Sequence, residues 1–178
     1  MKVEATLNVN GTEYPVAIDP HLSLLKAVRD EIGLTGSKEG CDDSECGACM
    51  MLLDGKPVNS CSYLALQAVG KAVTTVEGLA GDAELGALQA AFLRHGGVQC
   101  GFCTPGMLVS ATALLRTNPD PTEAQVRVSL AGNLCRCTGY DGIVRAVLAT
   151  AAGEVPAEPD RAPHPGHAAA EPSDVPGG

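Results

Sequence analysis

Eight cysteines, split into two groups of four by a long cysteine-free stretch, constrain this 178-residue chain more than any other feature. The first group is Cys41, Cys46, Cys49 and, after a gap, Cys61; the second joins the pair Cys100 and Cys103 to the pair Cys135 and Cys137. Thiols spaced like this work in sets, as disulfides or as metal ligands, so the fold must gather each four. In the first group three thiols come from one tight loop, and the fourth has to return from another strand or loop. In the second, two separate loops have to meet.

Composition narrows the kind of set. The run Met1–Leu7 alternates apolar and polar residues like a strand, with no basic n-region followed by an apolar stretch, so it does not read as a secretory signal. No segment reaches the ~20 apolar residues needed to span a bilayer. The expected compartment is the cytoplasm, where thiols stay reduced and clustered cysteines mean metal more readily than disulfides. A formal net charge of −9 argues against nucleic acid as a partner, because phosphate binding needs clusters of Lys and Arg. Aromatics are 3% and Trp is absent, so a core must rest on Leu, Val, Ala and Met. Two small domains built that way want staples.

The pattern predicts an α+β chain in two parts. Residues 1–77 read as a sheet with one helix. Alternation through Val9, then Asn10-Gly11, then alternation through Ile18 predicts a hairpin. Leu22, Leu25, Val28 and Ile32 recur at helical spacing up to Gly33. A second hairpin is expected around Asp54-Gly55, a short helix between Cys61 and Gly70, and a closing strand over Ala72–Val76. One helix across a small mixed sheet is β-grasp-like. Residues 78–152 read as four helices in a bundle. The first carries Leu85, Leu88, Phe92 and His95. The second opens at a Thr104 cap before Pro105 and runs to Asn118. The third opens at a Thr122–Gln125 capping box and runs to Gly132, and the fourth carries Ile143, Val147 and Ala151. Residues 153–178, rich in Pro and Ala, are expected to form a disordered tail; His164 and His167 lie within it.

Cys41, Cys46, Cys49 and Cys61 have the plant-type C-x4-C-x2-C…C spacing of a [2Fe–2S] cluster. Gly40 and Gly47 suit a loop whose main-chain N–H groups turn toward the sulfurs. Cys100, Cys103, Cys135 and Cys137 lie in two interhelical loops, and their spacing alone is less specific. A disulfide framework would need an oxidising compartment. Structural zinc uses C-x2-C pairs, but Cys135-Arg-Cys137 is tight for it. A thioredoxin-like pair would want a βαβ context, and a Rieske centre needs two His ligands, for which His21 and His95 are not placed.

Three longer strings carry a resemblance. Gly40-Cys41…Glu45-Cys46-Gly47-Ala48-Cys49, Gln99-Cys100-Gly101-Phe102-Cys103-Thr104-Pro105-Gly106-Met107 and Gly132-Asn133-Leu134-Cys135-Arg136-Cys137-Thr138-Gly139-Tyr140 make the chain similar to the small iron–sulfur subunit of the molybdenum hydroxylase (xanthine dehydrogenase/aldehyde oxidase) family. The likeness covers roughly residues 2–152. It implies an N-terminal β-grasp ferredoxin-like domain and an all-α four-helix-bundle domain, each with a [2Fe–2S] cluster. It further implies two partners, a large molybdopterin-binding subunit beside the helical-domain cluster and a medium FAD-binding subunit toward the ferredoxin-domain cluster. Gln99 matches the family position that contacts the pterin. Asp42, Asp43 and Glu45 crowd a loop where many relatives carry glycine, and Met50-Met51 stands where Thr is common. The acidic side chains are expected to face solvent or a basic patch on a partner.

The function this implies is one-electron relay from the molybdenum site through the two clusters to FAD, within an oxidoreductase heterotrimer. The chain itself shows no substrate-converting residues and no nucleotide-binding Gly-rich fingerprint. A free-standing two-cluster carrier and a metal-based redox sensor are the alternatives.

Overall fold

The computed structural model describes residues 1–79 and 86–154. Most of the expected tail, with its two histidines, and Leu85 lie outside the described residues. Five strands form one mixed sheet in the order β2-β1-β5-β3-β4: β1 (Val3–Val9), β2 (Thr12–Ile18), β3 (Met50–Leu53), β4 (Lys56–Asn59) and β5 (Ala72–Thr74). β1 pairs antiparallel with β2 and parallel with β5, and β3 pairs antiparallel with both β4 and β5. Both predicted hairpins form. Their turns place Asn10, Gly11, Asp54 and Gly55 at positive φ, the geometry that matches strand twist in two-residue loops.

Among the described residues there are five α-helices: α1 (Leu24–Lys26), α2 (Ala87–Arg94), α3 (Thr104–Thr117), α4 (Glu123–Ser129) and α5 (Asp141–Ala151). The helix predicted before Gly33 is α1 continued by a π-helical turn over Ala27–Glu31, and the one predicted after Cys61 is a 3-10 turn over Ala65–Ala68. The Thr122–Gln125 capping box forms, but α4 ends at Ser129 and turns reach Gly132. The expected closing strand stops at Thr74, ahead of a 3-10 turn over Val76–Gly78. Thr104 does not cap α3. Cys103 already has helical angles and occupies the cap position, because the chain turns from Gly101 into Thr104 through an N–H···O bond of 3.3 Å.

Two cores result. Leu7, Val9, Ile18, Leu25, Val28 and Met51 fill the first, between the sheet and α1. Phe92, Met107, Val126, Ile143 and Val147 fill the second, among the later helices. β3 serves both sides. Met51 and Leu53 point into the first core, while Leu52 packs on Val109 and Ala113 of α3 with Met50 alongside. An unbroken Met-Met-Leu-Leu run is what a strand covered on both faces requires. No helix among the described residues is long and apolar enough to cross a membrane.

Candidate iron–sulfur sites and the contact between them

The first cysteine group lies in the loop from Ser37 to Cys49 and just beyond β4. Asp42 and Ser44 have positive φ, as does Gly47, so the loop coils tightly. The Cys46 N–H donates to Cys41 Sγ at 3.4 Å. Asn59 at the end of β4 donates to the Ser44 carbonyl at 3.0 Å, and Ser60 Oγ donates to the Cys49 carbonyl at 2.6 Å. These two bonds tie the returning chain, and with it Cys61, to the loop.

The thiols within the set differ. Cys49 is 1% exposed, and burial, reinforced by Cys61, pushes its thiol up to about 12. Burial also works to raise Cys61, but hydrogen bonds from Ser62, Cys49 and Ser44 outweigh it and hold that thiol below the usual range.

The second group shows the same arrangement. Cys100 and Cys137 stand at the surface with sulfurs 3.5 Å apart. Cys103 is buried at the start of α3; burial and its neighbour Cys135 push it up to about 12. Cys135 is opposed by burial but lowered by the hydroxyl and N–H of Thr138, whose N–H donates to its sulfur at 3.5 Å. Each close pair takes one thiol from Cys-Gly-Phe-Cys and one from Cys-Arg-Cys. Tyr140, at φ 70, closes this loop by accepting from the Cys135 N–H at 2.8 Å and donating to the Asn133 carbonyl at 3.2 Å.

Three observations test the fit to iron–sulfur clusters. The donors are all sulfur, which suits iron–sulfur chemistry. A Cβ at Gly40 would come within 2.8 Å of Cys46 Sγ, so the loop passes too close to that sulfur to carry a side chain there. The two buried side-chain hydroxyls without a partner among the described residues are Ser37 and Thr104; both sit in cysteine-bearing segments, the second directly after Cys103. Among the described residues no three His, Cys, Asp or Glu side chains converge closely enough to hold a single metal ion. In the second set the thiols approach in pairs, Cys100 with Cys137 and Cys103 with Cys135. The residues fit two-iron clusters, and losing four thiol protons per set makes loading favour higher pH.

Gln99 is exposed, beside exposed Cys100 and Cys137. Phe102, between Cys100 and Cys103, is 47% exposed, and Leu134, just before Cys135, is 57% exposed. His21 is exposed and His95 half-buried. Asp42, Asp43 and Glu45 all face solvent, and Lys26 reaches Glu39 at 3.7 Å and Asp42 at 3.9 Å.

Cysteine spacing did not reveal how closely the two sites touch. The Leu134 N–H donates to the Cys46 carbonyl at 2.9 Å, and Asn133 Nδ2 donates to the Gly47 carbonyl at 3.0 Å. Gly106 of α3 lies against the same carbonyl. These residues sit inside the motif strings, but no local pattern announces a bond between positions 86 apart.

Comparison with known proteins agrees with this chemistry. Residues 7–80 match the "2Fe-2S iron-sulfur cluster binding domain" model, and residues 75–148 match the "[2Fe-2S] binding domain" model. The chain is 48% identical over 146 residues to the nicotinate dehydrogenase small FeS subunit of Eubacterium barkeri, covering 82% of this chain and 93% of that one. It is 51% identical over 147 residues to the nicotine 6-hydroxylase small subunit of Paenarthrobacter nicotinovorans, covering 83% and 88%. The crystal structure of quinoline 2-oxidoreductase from Pseudomonas putida 86 includes a chain that superposes with a TM-score of 0.83 at 44% identity, over 86% of this chain and 94% of that chain. With two adjoining 2Fe–2S domains and relatives this similar over nearly their whole length, the chain belongs to the small iron–sulfur subunits of the molybdenum hydroxylase family.

Proposed function

We propose that this chain is the electron-transfer subunit of a molybdopterin-dependent hydroxylase or dehydrogenase, with one cluster on Cys41, Cys46, Cys49 and Cys61 and another on Cys100, Cys103, Cys135 and Cys137. The observation that carries it is the gathering of eight thiols into two sets, which touch through the Cys46–Leu134 backbone bond. When bound, each [2Fe–2S] core takes up and passes on one electron, so the pair relays single electrons from a molybdenum site on a large subunit to FAD on a medium one. The division proposed is a β-grasp domain over 1–77 and a four-helix bundle over 78–152. The first builds on the sheet covered by α1, the second on α2 to α5.

The chain's own residues hold, bury and separate the charges. Cys49 and Cys103 anchor each set in a core, while Ser62 and Thr138 direct hydrogen bonds at Cys61 and Cys135 and favour the thiolate. Exposed Cys100, Cys137, Gln99, Phe102 and Leu134 make the surface that would meet the large subunit, with Gln99 reaching the pterin. Cytoplasmic location follows from the need for reduced thiols.

Metal and flavin analysis of the native complex tests this reading. Molybdenum, FAD and iron co-purifying with the chain supports it; a two-cluster monomer without partners supports a free carrier instead. Two further outcomes are expected. With two of four thiols exposed, the helical-domain cluster loses iron to a chelator before the other in the isolated chain, and the complex slows that loss; equal loss rates, unchanged by the complex, contradict this. Converting Asp42 and Asp43 to Asn and Glu45 to Gln raises the potential of the ferredoxin-domain cluster, by more at low ionic strength, because negative charge nearby disfavours reduction. An unchanged potential at low salt contradicts it.

A further inference from the structure

We infer that Asn133 is a positioning residue for electron transfer: its buried amide locks the two cysteine-bearing loops together and so sets the separation of the clusters. Resting on the cluster assignment above, the inference adds a role to a residue that is neither ligand nor surface.

Asn133 is 2% exposed, and all four of its polar groups are used. Its N–H donates to the Leu130 carbonyl at 2.9 Å, at the end of α4, and its own carbonyl accepts from Tyr140 Oη. Oδ1 accepts from Ser110 Oγ of α3 at 2.7 Å, and Nδ2 donates to the Gly47 carbonyl at 3.0 Å. A carbonyl can only accept, so the Gly47 contact fixes which end of the amide faces the first loop. Three segments of the helical part therefore converge on this one residue, two at its main chain and one at its side chain, and its remaining bond crosses to the other part.

What that bond holds in place is short in covalent terms. Gly47 follows Cys46, whose carbonyl takes the Leu134 N–H, and Leu134 precedes Cys135, whose N–H is held by Tyr140. Cys46 is thus one residue from the Gly47 contact, and Cys135 is two residues from Asn133 itself. The contact is also tight: a Cβ on Gly47 would come within 2.3 Å of the Gly132 carbonyl and 2.7 Å of Asn133 Nδ2. One electron passes between the parts with no bond made or broken, so alignment and distance are what the protein can control. A buried amide with every group satisfied specifies a single arrangement.

The test uses the purified complex with N133A and N133D. Asp keeps the shape and the Ser110 bond but, when ionised, cannot donate to Gly47. Iron and sulfide content report on the ligands, and low-temperature EPR of the fully reduced protein reports magnetic interaction between the clusters. Rapid partial reduction follows cluster-to-cluster transfer. The expected result is wild-type cluster content with a diminished interaction and transfer slowed severalfold in both variants. Full content with unchanged interaction and rate overturns the inference. Should either variant fail to assemble both clusters, S110A, which leaves the Gly47 donor present but unbraced, decides: a diminished interaction supports the role and an unchanged one overturns it. Absence of two cluster signals from the wild type would overturn the cluster assignment itself, and the inference with it.

Discussion

A Cys103→Ser chain keeps one cluster and loses the other. Cys103 is buried where α3 begins, and its thiol sits against Cys135 in the helical core. A serine oxygen is a poor substitute for thiolate sulfur on iron, and nothing at the surface can replace a buried ligand. The first set lies against a separate core, so it continues to bind. Iron and acid-labile sulfide should each fall by about half, the loss of one two-iron core, and electron flow through the complex should stop. Cys49→Ser should do the reverse, since Cys49 is the most buried thiol of its set. Loss of both clusters from either single variant, or of neither, would contradict the division into two independent sites.

Gly106→Ala should damage the contact between the two parts while leaving every ligand in place. An added Cβ would lie 2.1 Å from the Gly47 carbonyl oxygen. The obstacle is backbone in the first cysteine loop, so no side-chain rotation relieves it and α3 has to move away. Overpacking of this kind costs about 3 kcal/mol. Alanine would otherwise strengthen a helix interior by about 1 kcal/mol, so a net loss isolates the contact. Gly132→Ala is the control, because its Cβ would meet nothing within 4 Å. Denaturant titration of the cluster-loaded protein should show a lower midpoint for Gly106→Ala and little change for Gly132→Ala. Equal stability of the two variants would contradict this account of the interface.

What could be read from the sequence followed the range of the interactions. The hairpins at Asn10-Gly11 and Asp54-Gly55 and the Thr122 capping box were legible because each is closed by residues a few positions apart. The gathering of Cys41, Cys46 and Cys49 was legible for the same reason, since a short loop imposes it. Thr104 is not the cap that its place before Pro105 suggests. The sequence Thr-Pro suits one, but the turn at Gly101 starts the helix a residue early and leaves the hydroxyl without a partner. The π-helical turn at Ala27–Glu31 was likewise invisible to apolar spacing, which marks the buried face and not the hydrogen-bond ladder. The Asn133–Gly47 bond and the backbone approach at Gly106 join distant segments. Packing of α3 against β3, through Leu52, Val109 and Ala113, helps bring them together.

Iron, acid-labile sulfide and zinc analysis of the native complex, combined with low-temperature EPR during a reductive titration, is the most direct test of the eight-cysteine, two-cluster reading. The expected result is two irons and two sulfides for each of two clusters, with two distinguishable one-electron signals developing in turn. Zinc without sulfide, or one signal from the whole chain, would contradict it.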